Sequence, residues 1–405
     1  MKKWHAFLMC IFYILITTQH LFAQKAVCGF SRMLDKQADS DAYIHQRLFE
    51  VNETLNEATS GIETNISFRD NIIIPVVFHV VWKTPEENVS DQTILTQIDA
   101  LNRDFNNENT DLYDVPDEFQ PFIAAEGIRF CLAAEDSQDL PTSGIVRIKT
   151  DVETIGTKEN LFFSDLGGSS AWDTNKYLNI WVANTGEFIT GFGTFPGQVE
   201  TEKQGVVIHP KYFGENNSQR YNLGRVAVHE VGHYLGLTHA WDGNTGCDTD
   251  DGVADTPVQQ HAYEGCPGHP QVSCGSSDMF MNFMDYVNDD CMVMFTQGQM
   301  ERMIATIEIF RSEFLDTQIA CIKHTESEMD SDFLIYPNPV KEVLTIDFTT
   351  SVAETGNLEI YNSVGQLVYE YKGIIRNEMK LNLPVLISGM YWIKIGEKAG
   401  KFIMM

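Results

Sequence analysis

The sequence is short of positive charge. Its 405 residues include 28 Lys and Arg against 57 Asp and Glu, which gives a formal net charge of −29 at pH 7 with neutral His. A surface with this charge repels nucleic-acid phosphates and anionic lipid headgroups, so binding to either is not expected. The carboxylate excess is compatible with a soluble extracellular protein and with the oxygen ligands that calcium prefers.

Long apolar runs are missing after the first residues. Residues 6–16 form one uninterrupted apolar run behind Lys2 and Lys3, and this run is shorter than the roughly 20 residues that span a bilayer. With the small residue Ala23 as a cleavage point, the pattern predicts a secretory signal peptide over residues 1–23. The alternative is an uncleaved membrane anchor. We expect no transmembrane segment after signal cleavage.

Cysteines are few, and half of them lie in one loop-rich stretch. Of the eight, Cys10 falls in the signal peptide, whereas Cys28, Cys131 and Cys321 are scattered. The clustered four are Cys247, Cys266, Cys274 and Cys291. In an oxidising compartment this cluster predicts two disulfide bonds, for which four cysteines allow three connectivities. The sequence alone leaves the connectivity and the state of Cys131 and Cys321 open.

The hydrophobic pattern predicts an α+β unit followed by an all-β unit. Residues 72–82 are typical of a buried strand, and Ser90 is placed to cap a helix whose apolar face includes Ile94 and Phe105. Helices are also predicted over residues 221–237 and 295–314. After Cys321 the chain becomes acidic over residues 324–332, and short alternating strands with turns between them then predict a small β-sandwich.

One motif carries most of the functional information. On a helix, His229 and His233 lie one turn apart, so both imidazoles can bind one zinc ion while Glu230 stands beside it as a candidate general base. Gly236 permits a left-handed turn that brings His239 round as a third ligand. Three nitrogens leave one tetrahedral position for water, which is the pattern of a catalytic zinc site. The alternative is three ordinary histidines.

This extended motif resembles the signature of the metzincin metalloproteases. Metzincins have a methionine turn beneath the zinc site, and Met284 fits that feature. Tyr286, two residues on, resembles the tyrosine that in several metzincins binds zinc loosely or donates a hydrogen bond to the oxyanion. The alternative for Met284 and Tyr286 is packing in the core alone.

Within the metzincins, the sequence resembles the bacterial branch of the pappalysin family. The similar stretches beyond the zinc motif are residues 97–105, 128–133, 144–147, 172–173, 176–182 and 205–208. The resemblance extends over about residues 72–321 and implies a metzincin fold with a twisted sheet, a backing helix, an active-site helix and an irregular lower subdomain. It implies a secreted zinc-dependent endopeptidase that acts on protein or peptide substrates.

The resemblance also has implications for the lower subdomain. It implies the disulfide bonds Cys247–Cys274 and Cys266–Cys291. The acidic stretch 248–257 matches a loop that holds structural calcium in the family, so Ca²⁺ is expected beside the single catalytic Zn²⁺. The best calcium ligands are Asp251, Asp255 and Thr256, together with the carbonyl of Val253. The alternative is a solvated acidic loop.

Two further segments predict latency and export. Cys28 lies in the prosegment, and its thiolate is a good zinc ligand that can displace the water, as the cysteine switch of some relatives does. The alternatives are a disulfide bond to Cys131 or Cys321, or a free thiol.

The tail resembles a type IX secretion sorting domain of the Bacteroidetes in residues 336–340, 360–368, 389–391 and 401–402. The alternative for the tail is a carbohydrate-binding sandwich.

The sequence therefore predicts a latent protease that the type IX secretion machinery carries through the periplasm and the outer membrane, to be secreted or held at the cell surface. The predicted segments are a signal peptide (1–23), a prosegment (24–70), a catalytic domain (71–323), a linker (324–332) and a sorting domain (333–405). The main alternative function is a zinc-bearing surface adhesin or binding protein with little hydrolysis. A zinc aminopeptidase is a weaker one, because no acidic motif that would anchor an amino terminus is visible.

Overall fold

The computed structural model describes residues 27–38, 41–60, 72–125, 127–138, 140–241, 246–316 and 321, and, in the tail, residues 333–336, 340, 343–348, 354–362, 366–375, 378–384, 386, 389–396 and 398–404. The predicted signal peptide, the end of the prosegment, the linker and part of the predicted sorting motif at 336–340 lie outside these residues. The chain divides into two compact units, Met1–Cys321 and Ile322–Met405.

A six-stranded sheet forms one half of the first unit. Strand β1 (Ile72–Trp82) pairs in parallel with β2 (Ile128–Leu132) and then β3 (Ile145–Lys149) on one side, and with β4 (Leu178–Ala183) on the other. Strand β6 (Val206–Ile208) follows β4, and β5 (Gly191–Gly193) closes this edge as the antiparallel strand. The nearly continuous apolar sequence of β1 follows from this position, because parallel strands are covered on both faces.

Two helices pack beside the sheet. Helix α3 (Asp91–Phe105) begins at Ser90, whose side chain accepts a hydrogen bond from the Thr93 amide, and it packs on β2 and on α4 (Arg225–Tyr234). Helix α4 is shorter than the predicted 221–237, because Gly224 and Gly236 adopt left-handed backbone angles of φ +76° and +87° before and after it. Helix α4 also contacts the edge strand β5. This contact places one edge of the sheet beside the residues of α4.

The amino-terminal segment is folded against this unit. It contains α1 (Phe30–Ala38), which the sequence pattern did not predict, and α2 (Ile44–Thr59). Four apolar residues of α2 recur at helical spacing and pack against Phe195 and Ala305: Ile44, Leu48, Val51 and Leu55. Helix α2 lies on α5 (Gln297–Phe310), where the Arg302 guanidinium donates hydrogen bonds to side-chain oxygens of α2. A four-residue helix, α6 (Glu313–Asp316), follows α5.

Disulfide bonds hold the irregular part of the first unit. Within the described residues 246–288, the backbone forms only turns, bends and isolated bridges. The bonds Cys247–Cys274 and Cys266–Cys291 cross this region, and this is the pairing that the resemblance implied. A third bond, Cys131–Cys321, joins β2 to the end of the unit over a sequence separation of 190 residues. Cys28 is a free thiol, so the alternative of a disulfide bond from Cys28 to Cys131 or Cys321 is wrong in this structure.

The second unit is a small antiparallel all-β domain. One sheet has the order β10 (Leu367–Ile375), β9 (Glu354–Asn362), β12 (Gly389–Ile395) and β13 (Lys398–Met404). The other has the order β11 (Glu378–Asn382), β8 (Val343–Phe348) and β7 (Phe333–Tyr336). Apolar side chains from both sheets, including Leu344, Ile346, Ile360 and Ile393, share one core. Among the described residues, no helix has the length and apolar character needed to cross a membrane.

Candidate zinc centre and its surroundings

Helix α4 carries two imidazoles whose ring nitrogens point to a common position. The Nδ1 atoms of His229 and His233 lie 2.7 and 2.8 Å from the carbonyl oxygens of Phe283 and Leu237. A carbonyl oxygen only accepts, so each Nδ1 carries the proton and each Nε2 keeps its lone pair. Burial lowers the pKa of His229 to about 4, which keeps the ring neutral. The buried Nε2 of His229 has no hydrogen-bond partner in the described part of the chain, as suits a metal ligand.

A left-handed glycine brings the third imidazole to the same position. Gly236 ends the helix at φ +87°, and the Leu237 amide donates to the Gly232 carbonyl at 2.9 Å. A Cβ on Gly236 would lie 2.3 Å from Thr306 Oγ1. His239 Nε2 then lies 3.1 Å from His233 Nε2, close to the separation of about 3.3 Å expected for two nitrogens on one tetrahedral zinc. The residues present therefore fit a zinc ion.

Glu230 is held against the edge strand beside these rings. Its Oε2 accepts a hydrogen bond of 2.9 Å from the Gly193 amide of β5, and its buried Oε1 has no partner among the described residues. Burial raises the pKa of Glu230 to about 8, whereas a cation nearby would favour the carboxylate. Only glycine fits at position 193, since a Cβ there would lie 2.1 Å from the Glu230 carbonyl oxygen. One carboxylate oxygen is therefore anchored and the other is available.

The methionine turn lies beneath the helix. Met284 is fully buried, and its amide donates to Asn282 Oδ1 at 2.9 Å. Its sulfur packs so closely under Gly232 that a Cβ at that position would be 2.6 Å from Sδ. The hydroxyl of Tyr286 lies 3.2 Å from His239 Nε2, and burial raises the pKa of Tyr286, so the phenol keeps its proton. The structure thus places Met284 under the helix that carries two of the imidazoles, and Tyr286 beside the third.

Cys28 reaches the same centre from the amino-terminal segment. Its Sγ lies 3.5 Å from His233 Nε2 and 3.4 Å from Glu230 Oε2, and ligand atoms of Cys28, His229, His233 and His239 all lie within 4.8 Å of one another. The Phe30 amide lies 3.3 Å from Sγ. Burial and the neighbouring Glu230 raise the pKa of the thiol, but a zinc ion among these atoms would deprotonate it.

Backbone pairing with the sheet edge places the thiol. The Thr190 amide donates to the Val27 carbonyl at 3.0 Å and the Gly29 amide donates to the Gly191 carbonyl at 2.7 Å, in a parallel arrangement. A Cβ on Gly29 would lie 2.8 Å from Ile189 Cγ2, so the glycine after Cys28 permits this close approach. The Phe30 ring then stacks on His233 with centroids 4.2 Å apart.

The acidic loop separates into two different environments. Asp251 is buried, its Oδ1 accepts from the Val253 amide and the Thr256 hydroxyl, and its Oδ2 has no partner in the described residues. Burial raises the pKa of Asp251 to about 7, which a bound cation would oppose. Asp255 instead accepts hydrogen bonds from the Thr296 hydroxyl and the Gly298 amide at the start of α5. Asp251, Val253 and Thr256 therefore lie together, with the Thr256 hydroxyl also 2.8 Å from the Val253 carbonyl oxygen, whereas the carboxylate of Asp255 contacts the start of α5.

Sequence reasoning did not find several supporting groups. The Phe283 carbonyl is a backbone group that leaves no pattern in side-chain identity, and Gly193, where only glycine fits, lies in a strand of three residues that is too short to show periodicity. The buried Arg225 of α4 forms ion pairs with Asp104 of α3 and with Asp111, which fix the active-site helix to its neighbour. Asp104 belongs to the similar stretch 97–105, which is the one available signal for this network.

Two parts of the chain match known protein families. Residues 164–308 match the family described as pregnancy-associated plasma protein-A, and residues 334–404 match the secretion system C-terminal sorting domain. An extracellular metalloprotease of Arthroderma gypseum is 31% identical over 287 residues, which cover 69% of this chain and 86% of the fungal protein.

Two solved structures from Tannerella forsythia are similar to this chain. Mature mirolysin in complex with a cleaved peptide is 41% identical, with a TM-score of 0.58, and the match covers 61% of this chain and 96% of the mirolysin chain. A promirolysin variant is 37% identical, with a TM-score of 0.63, over 71% of this chain and 96% of its own.

The fold and the site define a secreted or cell-surface metalloprotease with the metzincin architecture. The chain belongs to the pappalysin family of these enzymes and carries a type IX secretion sorting domain. Membership of this metalloprotease family implies a zinc cofactor.

Proposed function

We propose that the chain is a zinc-dependent endopeptidase in which His229, His233 and His239 hold the metal and Glu230 is the general base. The observation that carries this proposal is the convergence of the imidazole ligand atoms beside the partnerless Oε1 of Glu230. A bound zinc ion supplies Lewis acidity, which polarises a peptide carbonyl and lowers the pKa of water. The remaining steps belong to side chains of this protein.

Glu230 moves the proton. The Gly193 amide fixes Oε2, so Oε1 faces the water that attacks the carbonyl carbon and accepts its proton. The same carboxyl group then donates that proton to the departing amine nitrogen. Tyr286, with its hydroxyl beside His239, donates a hydrogen bond to the carbonyl oxygen as negative charge develops there. No serine or cysteine nucleophile takes part.

The prosegment keeps this machinery latent. In our proposal the Cys28 thiolate would be a further ligand of a bound zinc ion and would exclude water from it, and the Phe30 ring covers His233 from the same segment. Activation removes the prosegment, predicted as residues 24–70, and leaves the catalytic domain predicted over residues 71–323. Because the Arg302 guanidinium of α5 donates hydrogen bonds to α2, release of the prosegment in this proposal also requires α2 to leave α5.

A calcium ion is proposed as a structural element of the acidic loop. The ligands are the Asp251 carboxylate, the Val253 carbonyl and the Thr256 hydroxyl, and the buried Oδ2 of Asp251 is the supporting observation. Asp255 contributes by capping α5 next to this loop. The cation would remove the cost of burying an uncompensated carboxylate.

A blocked peptide distinguishes the candidate functions. The activated protein should cut an N-acetylated, C-amidated peptide at internal bonds, because an endopeptidase needs no free terminus, and a chelator should abolish the cleavage. Zinc bound without any cleavage would favour the adhesin alternative. Cleavage confined to peptides with a free amino terminus would favour an aminopeptidase.

A further inference from the structure

His239 differs from the other two imidazoles in what holds its ring. His229 and His233 each donate from Nδ1 to a backbone carbonyl. The hydrogen-bonding contacts of His239 within the described residues both involve Nε2, with His233 and with Tyr286. Its ring lies instead against the indole of Trp241, with centroids 4.6 Å apart and the planes inclined by only 5°.

Trp241 also touches the candidate oxyanion donor. The ring centroids of Trp241 and Tyr286 are 4.7 Å apart at an interplanar angle of 77°, so the two rings meet edge to face. The Tyr286 and His239 rings are themselves 5.0 Å apart at 81°. The three rings therefore form a closed triangle, and Trp241 is 7% exposed, so its own orientation is held by burial.

We propose that Trp241 is a positioning residue that acts through both of its neighbours. Parallel stacking sets the ring plane of His239 in place of the Nδ1 hydrogen bond that the other imidazoles have, and the edge contact sets the position of the Tyr286 hydroxyl. Groups that orient metal ligands typically change metal affinity or activity by about 10- to 100-fold when they are removed. This proposal rests on the role of His239 as a zinc ligand.

The test compares Trp241→Phe with Trp241→Leu in the activated protein. Phenylalanine keeps an aromatic face for stacking, whereas leucine fills apolar space without one. If Trp241 serves packing alone, the two variants should therefore have similar zinc release and similar Co²⁺ spectra. The measurements are the rate of zinc release to a chromogenic chelator, the visible absorption spectrum of the Co²⁺-substituted protein, and kcat and KM separately.

We expect the phenylalanine variant to release zinc within about threefold of the wild-type rate, since aromatic stacking is retained. The leucine variant should release zinc about 10- to 100-fold faster and show an altered Co²⁺ spectrum. Its kcat should fall by a larger factor than its KM changes, because Tyr286 is displaced. Trp82→Leu is the control, because Trp82 is half-buried and pairs with Lys149 of β3 rather than with the edge strand β5 beside the site. Its zinc release should equal that of the wild type.

Equal zinc release and equal Co²⁺ spectra for the two Trp241 variants would overturn the positioning role. Failure of the wild-type protein to bind Co²⁺ or zinc at all would instead contradict the proposed zinc site. If the leucine variant does not fold, Trp241→Met takes its place, since methionine also packs without an aromatic face. A methionine variant with wild-type zinc release would equally overturn the proposal.

Discussion

The contact between Gly232 and Met284 predicts that Gly232→Ala destabilises the protein when Met284 is present and stabilises it when Met284 is replaced by alanine. Gly232 lies inside α4 with ordinary helical geometry, so alanine suits its backbone. The added Cβ would lie 2.6 Å from Met284 Sδ and 3.5 Å from Leu237 Cδ1. The sulfur must therefore retreat by about 1 Å to reach an ordinary contact of about 3.5–4.0 Å, in a place where Met284 is fully buried.

Two opposing terms set the magnitude. Replacing glycine by alanine within a helix stabilises by about 1 kcal/mol. Forcing an extra methyl group into a filled core costs about 1–3 kcal/mol. Gly232→Ala should therefore lower the free energy of unfolding by up to about 2 kcal/mol when Met284 is present. In a Met284→Ala background the clash is absent, and the same change should raise that free energy by about 1 kcal/mol.

Urea denaturation of the four proteins of this double-mutant cycle measures the effect. All four should carry Glu230→Ala, to prevent self-cleavage, and should be held at one fixed excess of zinc. The expected coupling energy between the two positions is about 1–3 kcal/mol. An effect of Gly232→Ala that is the same in both backgrounds would refute the close packing of Met284 under the active-site helix.

Two predictions concern latency and calcium. Cys28→Ala should give a zymogen that matures faster or cleaves a peptide before processing, because no thiolate excludes water from the centre. Latency equal to that of the parent protein would contradict this role of Cys28 and would indicate that another prosegment residue maintains latency. Calcium added to metal-free protein should raise the melting temperature, since a ligand at about 100 times its Kd adds about 2.7 kcal/mol to the free energy of unfolding; Asp251→Asn should abolish this response, and a melting temperature indifferent to millimolar calcium would contradict the site.

The elements that the sequence predicted well are those with a strong local signal. The apolar run predicted β1 with its correct bounds, and Ser90 predicted the start of α3. The i, i+4 spacing of His229 and His233 needs only a helix to bring the two rings together, and Gly236 predicts the left-handed turn that leads to His239. These features depend on neighbours within one or two turns of the chain.

Features that depend on distant partners could not be read in this way. The edge strand β5 has only three residues, two of them glycine, so no periodicity marks it. The pairing of Cys131 with Cys321 joins residues 190 positions apart, and the stacking of Trp241 on His239 depends on the path of the loop after the helix. Asp255 was expected to bind calcium because the acidic loop matches one that holds calcium in the family, whereas its contacts with Thr296 and Gly298 arise from tertiary packing.

Replacement of Glu230 by alanine tests the central claim most directly, with the zinc content and the turnover measured on the same preparation of activated protein. Our account predicts one zinc per chain, as in the wild type, because the three imidazoles are untouched. It also predicts a fall in the rate of casein digestion by several orders of magnitude, because general-base transfer alone contributes about 10²- to 10⁴-fold. Digestion at near the wild-type rate by the zinc-loaded variant would contradict the account.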